Sequence, residues 1–167
     1  MFDDTRRAAA GEAAGRPDGP LRLALVTAAD LPLLEQFVRA YYVEDRHNFD
    51  ESRQPAALAA LAAGEPFGRG WVTLLDGRQV GYVVLSWGFS VESGGREACL
   101  DEIYLLPEVR GRGLGGRVLA LVEAEARAFG VRRIFLEVER HNRVIGLYRR
   151  AGYADHARFL MSKLLSP

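Results

Sequence analysis

The sequence predicts a mixed α/β (α+β) fold built on a largely antiparallel sheet. Three observations predict it. The apolar period switches between helical and alternating, giving the order β-α-α-β-β-β-α-β-α-β. An Asp76-Gly77 turn sits between two alternating runs, the mark of a hairpin. A glycine-rich loop from Gly111 to Gly116 joins a strand to a helix.

The elements follow in order. Leu21, Leu23 and Leu25 alternate with Arg22 and Ala24, so a first strand covers Leu21 to Val26. Thr27 or Asp30 can cap the next helix, along which Leu33, Leu34, Phe37, Val38 and Tyr41 recur at helical spacing. A polar break from Glu44 to Asn48 precedes an Ala-rich helix from about Glu51 to Ala63, ended by Gly64 and Pro66. Trp71 to Leu75 and Val80 to Trp87 form the hairpin, and Ala98 to Leu106 a further strand after the turn at Ser93-Gly94-Gly95. A helix runs from Gly113 to Phe129, with Gly130 suited to its C′ position. Ile134, Leu136 and Val138 mark another strand, Val144 to Arg150 a short helix stopped at Gly152, and Ala157 to Leu164 a final strand.

Bulk properties narrow the functions. At 167 residues the chain suits one domain with a real core, expected over residues 20–167. The Ala/Gly/Arg-rich residues 1–19, closed by Pro17 and Pro20, are expected to be a disordered tail, with neither a secretory core nor the acid-poor character of a transit peptide. The 22 basic and 22 acidic residues cancel, leaving no surplus to neutralise nucleic-acid phosphates. No apolar run approaches the ~18 residues of a membrane helix. The lone Cys99 cannot form an internal disulfide, so a cytoplasmic location is expected. His47, His141 and His156 lack metal-ligand spacing, and no metal is expected.

The chemistry concentrates in the loop. Its glycines let backbone N–H groups approach an anion, the following helix N-terminus adds a favourable dipole, and Arg110 and Arg112 add charge. Gly111, Gly113 and Gly116 also satisfy G-x-G-x-x-G, with Glu137 about twenty residues on, as a dinucleotide site would have. Three features oppose that alternative. Pro107 to Arg110 intervene between strand and loop, about fifty residues remain after Gly116, and the preceding sheet is antiparallel.

With Arg110-x-x-Gly113-x-Gly115 and the later Asn142 and Leu147-Tyr148-Arg149-Arg150-Ala151-Gly152-Tyr153, the chain resembles the GNAT acetyltransferase superfamily. The first segment is similar to that family's pyrophosphate signature, and the second to its N…LYrr-x-GF segment. The resemblance spans about Leu21 to Leu164 and is strongest from Leu100 onward. It implies a sheet that splays between two parallel strands, helices on both faces, and acetyl-CoA as co-substrate. Pantetheine would enter the splay as an extra strand, with backbone groups of Ile103 and Leu105 bonding it. Backbone N–H groups of Gly111, Arg112, Gly113, Leu114, Gly115 and Gly116 would hold the pyrophosphate. Asn142 would touch pantetheine, although Asn before a helix is equally an ordinary cap. Tyr148 would protonate the departing thiolate.

The base has more than one candidate. An ammonium near the lysine pKa sits about 3 units above neutral pH, so deprotonation costs roughly 4–5 kcal/mol. A carboxylate at the mouth of the splay can accept that proton. Asp101 and Glu102 stand there, and the pair resembles the polyamine acetyltransferase branch, where the first acid is the base and the second holds the amine. Strand alternation gives Asp101 the parity of Ile103 and Leu105 and turns Glu102 the other way. Asp101 is the preferred base, Glu102 the alternative, and Glu137 on the partner strand the next. Cys99 as an acetyl carrier is disfavoured, since a lone cysteine behaves as a small hydrophobe and direct transfer is the family habit.

Tyr41, Tyr42, Glu44, Asp45, His47, Asp50, Glu51 and Glu92 could form an acidic, aromatic-walled mouth. The expected acceptor is therefore a primary amine on a small cationic or polyamine-like molecule. A peptide N-terminus or protein lysine is the alternative, and a non-catalytic CoA-binding module a third. No nucleic-acid or membrane partner is expected, and a homodimer is left open.

Overall fold

The computed structural model describes residues 19–139 and 142–165. The expected tail, apart from Gly19, and His141 lie outside the described residues. The first strand, β1 (Leu21–Leu25), packs Leu21 and Leu23 on one face of the sheet and Ala24 on the other. Thr27 donates both its N–H (2.9 Å) and its hydroxyl (2.7 Å) to Asp30, holding the 3₁₀ turn that leads into α1 (Leu31–Asp45). Helix α1 ends where Arg46 turns left-handed at φ 59°, so the polar break begins after Asp45 and Glu44 lies in the helix. Helix α2 (Gln54–Ala63) stops at left-handed Gly64.

Strands β2 (Gly68–Leu75), β3 (Arg78–Ser90) and β4 (Gly95–Leu105) form a meander. Its first turn has positive φ at both Asp76 and Gly77, the backbone twist that closes a two-residue hairpin. Helix α3 (Leu114–Ala128) then crosses to β5 (Arg133–Leu136), and α4 (Ile145–Arg150) follows. The sheet order is β1-β2-β3-β4-β5, antiparallel from β1 to β4 and parallel between β4 and β5. This is the expected mixed α/β architecture.

Two cores lie on opposite faces of the sheet. On one, Leu114, Val118, Leu119, Val122 and Ala126 of α3 pack on Trp71, Leu75, Val83, Leu85 and Leu100. Their spacing is a helical stripe, and truncating a fully buried leucine such as Leu119 to Ala would cost about 2–5 kcal/mol. On the other, Leu34, Phe37 and Val38 of α1 and Leu58 of α2 pack on Val72, Tyr82, Val84 and Tyr104.

Two expectations are corrected. The final strand over Ala157 to Leu164 does not form. That segment is exposed, with Phe159 and Met161 each at least 90% accessible, and it bonds the body through Arg158 to Glu92 at 2.7 Å. Its apolar residues run consecutively rather than alternately, so no single face was specified for a sheet to bury. Strict alternation along β4 is also wrong. The register passes from Val84↔Glu102 to Leu85↔Leu100, which leaves Asp101 as the extra residue of a β-bulge. Leu100 and Ile103, three residues apart, therefore pack against the same core, and the parity linking Asp101 to Ile103 is lost.

Candidate active site

The site begins with a parting of strands. β4 and β5 pair from Glu97↔Arg133 to Leu100↔Leu136 and no further, while β4 continues to Leu105. From Asp101 onward that edge of β4 keeps its backbone donors and acceptors unpaired by β5, although Ile103 and Leu105 hold their side chains in or against the core. Buried or half-buried backbone groups demand partners, so this edge suits an extended amide-bearing ligand.

At the end of β4 the chain turns through Pro107–Val109 into the loop. Gly111 and Gly113 have φ of 73° and 74°, and open space surrounds the position a side chain would take at each. The first N–H groups of α3 lack intrahelical acceptors and point outward from its N-terminus, the arrangement that receives a phosphate. Gly115 has a different reason to be glycine. A Cβ there would lie 2.9 Å from Cδ2 of Leu147, so the tip of the Leu147 side chain rests over Gly115 where α4 meets α3. The exposed Arg112 stands in this loop. Arg110 is occupied elsewhere: Nε donates to the Leu105 carbonyl at 2.7 Å, and both terminal nitrogens bond Glu44 at 2.8 and 2.9 Å.

Helix α4 presents Tyr148, which is 9% exposed and belongs to the same core as Leu114 and Val118. Its ring meets Tyr153 edge-on at 5.9 Å. Burial first, and then the charge of Asp45, pushes the Tyr148 hydroxyl up to about 12, so it is a proton donor at neutral pH. Tyr41 on α1 is raised in the same way, by burial and then by Asp45, Glu102 and Tyr148. Tyr41 packs with the α1 core and Tyr148 with the α3 core, so the two tyrosines sense one another from different faces of the sheet.

The carboxylates sit on the α1 side. Glu102 is half-buried and accepts the Tyr82 hydroxyl at 2.9 Å, and Tyr42 also bonds it. Its pKa is raised because desolvation outweighs those hydrogen bonds. Asp101, on the bulge, is accessible at its outer surface but set deep enough in surrounding protein that desolvation raises it too. Asp45 meets His47 at 3.1 Å, and the Tyr42 ring stacks edge-on with Tyr41, His47 and Phe49. Burial and then Asp101, Glu137 and Glu97 push the Cys99 thiol up to about 11, which places Glu137 in the same electrostatic neighbourhood.

The structure therefore brings together Tyr41, Tyr42, Asp101, Glu102 and Tyr148. It does not bring Glu92 to them. Glu92 lies beyond the far end of β4, paired with Arg158. Asp50 and Glu51 turn outward to Arg53 and Arg39. Asn142 accepts the Val144 N–H at 3.0 Å, an Asx turn that starts α4. Sequence reasoning missed Tyr82 as the partner of Glu102, and no local signal could have revealed it, because it depends on the β3–β4 register.

The model of the Acetyltransferase (GNAT) family matches residues 32–153.

The chain belongs to the GNAT acetyltransferase family.

It is an acyltransferase, and the GNAT family uses acetyl-CoA. An IAA acetyltransferase of Azospirillum brasilense is 29% identical over 137 residues, 79% of this chain and 86% of that one. An integron cassette protein from the mobile metagenome of Cole Harbour Salt Marsh superposes with TM-score 0.74 at 31% identity, over 88% of this chain and 91% of that one. AAC(6')-Iy, in complex with the bisubstrate analogue CoA-S-monomethyl-acetylneamine, gives TM-score 0.73 at 14% identity, over 88% of this chain and 99% of that one; this likeness is one of fold. Among the described residues no group of His, Cys, Asp or Glu could hold a metal, and no helix is long and apolar enough to cross a membrane.

Proposed function

We propose that this GNAT enzyme acetylates the primary amine of a small cationic molecule by direct transfer from acetyl-CoA. The observation that carries the reading is the parting of β4 from β5 after Leu100, where Asp101 and the half-buried Glu102 follow directly on β4 and Tyr41 senses both Glu102 and Tyr148. Acetyl-CoA would lay pantetheine along the free edge of β4 at Ile103 and Leu105, with its pyrophosphate on the N–H groups from Gly111 to Gly116.

In this reading Glu102, held by Tyr82, binds the cationic acceptor, and Asp101 on the bulge takes the ammonium proton directly or through water. The freed nitrogen attacks the thioester carbonyl carbon and forms the C–N bond. As the C–S bond breaks, the thiolate takes the proton of the Tyr148 hydroxyl. A carboxylate raised by burial is better matched to proton acceptance near neutral pH than an ordinary one. Direct transfer is supported by Cys99, whose thiol near 11 leaves only about one part in ten thousand as thiolate at pH 7.

A thiol-release screen with acetyl-CoA across polyamines, aminoglycosides, amino acids and short peptides tests this. Turnover confined to small polycations is expected. Turnover confined to peptides would overturn the acceptor class, and no acetyl-CoA binding would overturn the whole reading.

A further inference from the structure

The arginine that opens the loop signature has its side chain committed to other protein groups. Arg110 makes three contacts of different kinds. Nε bonds the carbonyl of Leu105, the last residue of β4, at 2.7 Å. The two terminal nitrogens grip Glu44 in a bidentate pair at 2.8 and 2.9 Å. The guanidinium carbon lies 5.1 Å from the centre of the Tyr104 ring. A fork committed at all three nitrogens has its charge cancelled by the carboxylate it holds, and Glu44 would itself repel a pyrophosphate brought to that fork.

The other end of this bridge is the last turn of α1. Glu44 stands beside Asp45 and within one turn of Tyr41 and Tyr42, the residues grouped around Glu102 and Tyr148. The turn ends at left-handed Arg46, and its terminal carbonyls favour a nearby cation such as Arg110. The bridge thus spans from the acetyl-CoA loop to the acceptor mouth, through the end of β4.

We propose that Arg110 is a positioning residue: with Glu44 it fixes the last turn of α1 against the end of β4, and so couples the donor loop to the acceptor side. The inference rests on the proposed acetyl-CoA reading of the loop. Backbone amides then carry pyrophosphate recognition, and the Arg110 side chain transmits the loop's order to Tyr41, Tyr42 and Asp45. Arg110→Gln removes the charged bridge while keeping a polar side chain at the head of the loop.

The test compares wild type, Arg110→Gln, Glu44→Gln and the double variant. Acetyl-CoA affinity is measured by calorimetry, and amide hydrogen exchange of residues 41–47 with and without acetyl-CoA. Expected are dissociation constants within about twofold in all four, since an exposed ion pair adds little to overall stability. Acetyl-CoA should protect residues 41–47 in wild type, and that protection should be lost alike in both single variants and no further in the double. A merely structural pair would alter basal exchange and leave the acetyl-CoA-dependent protection in place, which overturns the coupling. Arg110→Gln weakening acetyl-CoA about tenfold, with Glu44→Gln tightening it, would show instead that Arg110 is a phosphate ligand. Failure of wild type to bind acetyl-CoA would overturn the reading of the loop itself, a result distinct from either.

Discussion

At Tyr148 and Glu102, burial pushes each group toward its neutral form. The Tyr148 hydroxyl, at about 12, keeps its proton at every ordinary assay pH, so it can donate but not accept. Tyr148→Phe should therefore lower kcat by about 10²–10⁴-fold, the usual loss for one general acid, with acetyl-CoA affinity unchanged by calorimetry. Equal turnover by both proteins, where chemistry limits the rate, would remove it from the mechanism. Glu102 has its pKa raised, chiefly by desolvation, so its charged form costs folding energy. The sign follows from linkage. The raised folded pKa favours the native state below the ordinary glutamate pKa, and that advantage is lost as pH rises through the folded value. Glu102→Gln should be nearly neutral for stability below about pH 4 and increasingly stabilising above it. Melting temperatures from pH 4 to 8 should show the gap widening upward, and a gap that narrows would contradict the assigned cause. Asp101→Asn should depress kcat at neutral pH, with partial recovery at high pH as free amine accumulates. Turnover at the wild-type rate by Asp101→Asn and Glu102→Gln alike would move the proton acceptor to Glu137.

Among the elements, the contact of α3 with α4 decides where Tyr148 stands. Gly115 allows Leu147 to close on α3, and Leu147 neighbours Tyr148 in the chain. Gly115→Val would overpack this contact at a cost of about 1–3 kcal/mol and push Tyr148 from its place. Leu147→Ala should restore part of the lost activity in that background. Gly113→Ala differs in kind, because the space is open and only the left-handed backbone resists, at roughly 1–2 kcal/mol. Thermal melts of the three variants distinguish a packing defect that Leu147→Ala relieves from strain that it does not. The α4 motif was legible from its residues, whereas the reason for Gly115 was not, since its neighbour lies on a separate element.

For the whole molecule, acetyl-CoA should act as a brace between β4, β5 and α3. A ligand at a hundred times its dissociation constant stabilises the native state by about 2.7 kcal/mol. For a chain of this size that corresponds to a rise of roughly 5–10 °C in melting temperature. NAD should give no rise, and a saturable shift with NAD would revive the dinucleotide alternative.

What the sequence determined by itself was whatever depends on near neighbours: the element order up to α4, the hairpin at Asp76-Gly77 and the glycine loop. Periodicity and turn chemistry act over a few residues and are written locally. Only the tertiary structure decided what depends on register and on packing between distant elements. β3 and β4 pair one residue out of step at the Asp101 bulge, which removes the parity argument for the acids. Tyr82 reaches Glu102 only through that same register. Glu44 claims Arg110 across 66 residues, and Glu92, acidic like the rest of the mouth, was left at the wrong end of β4. The final strand failed for the converse reason. A run of apolar side chains can read as a strand, but an edge to pair with and a single face to bury are properties of the folded sheet.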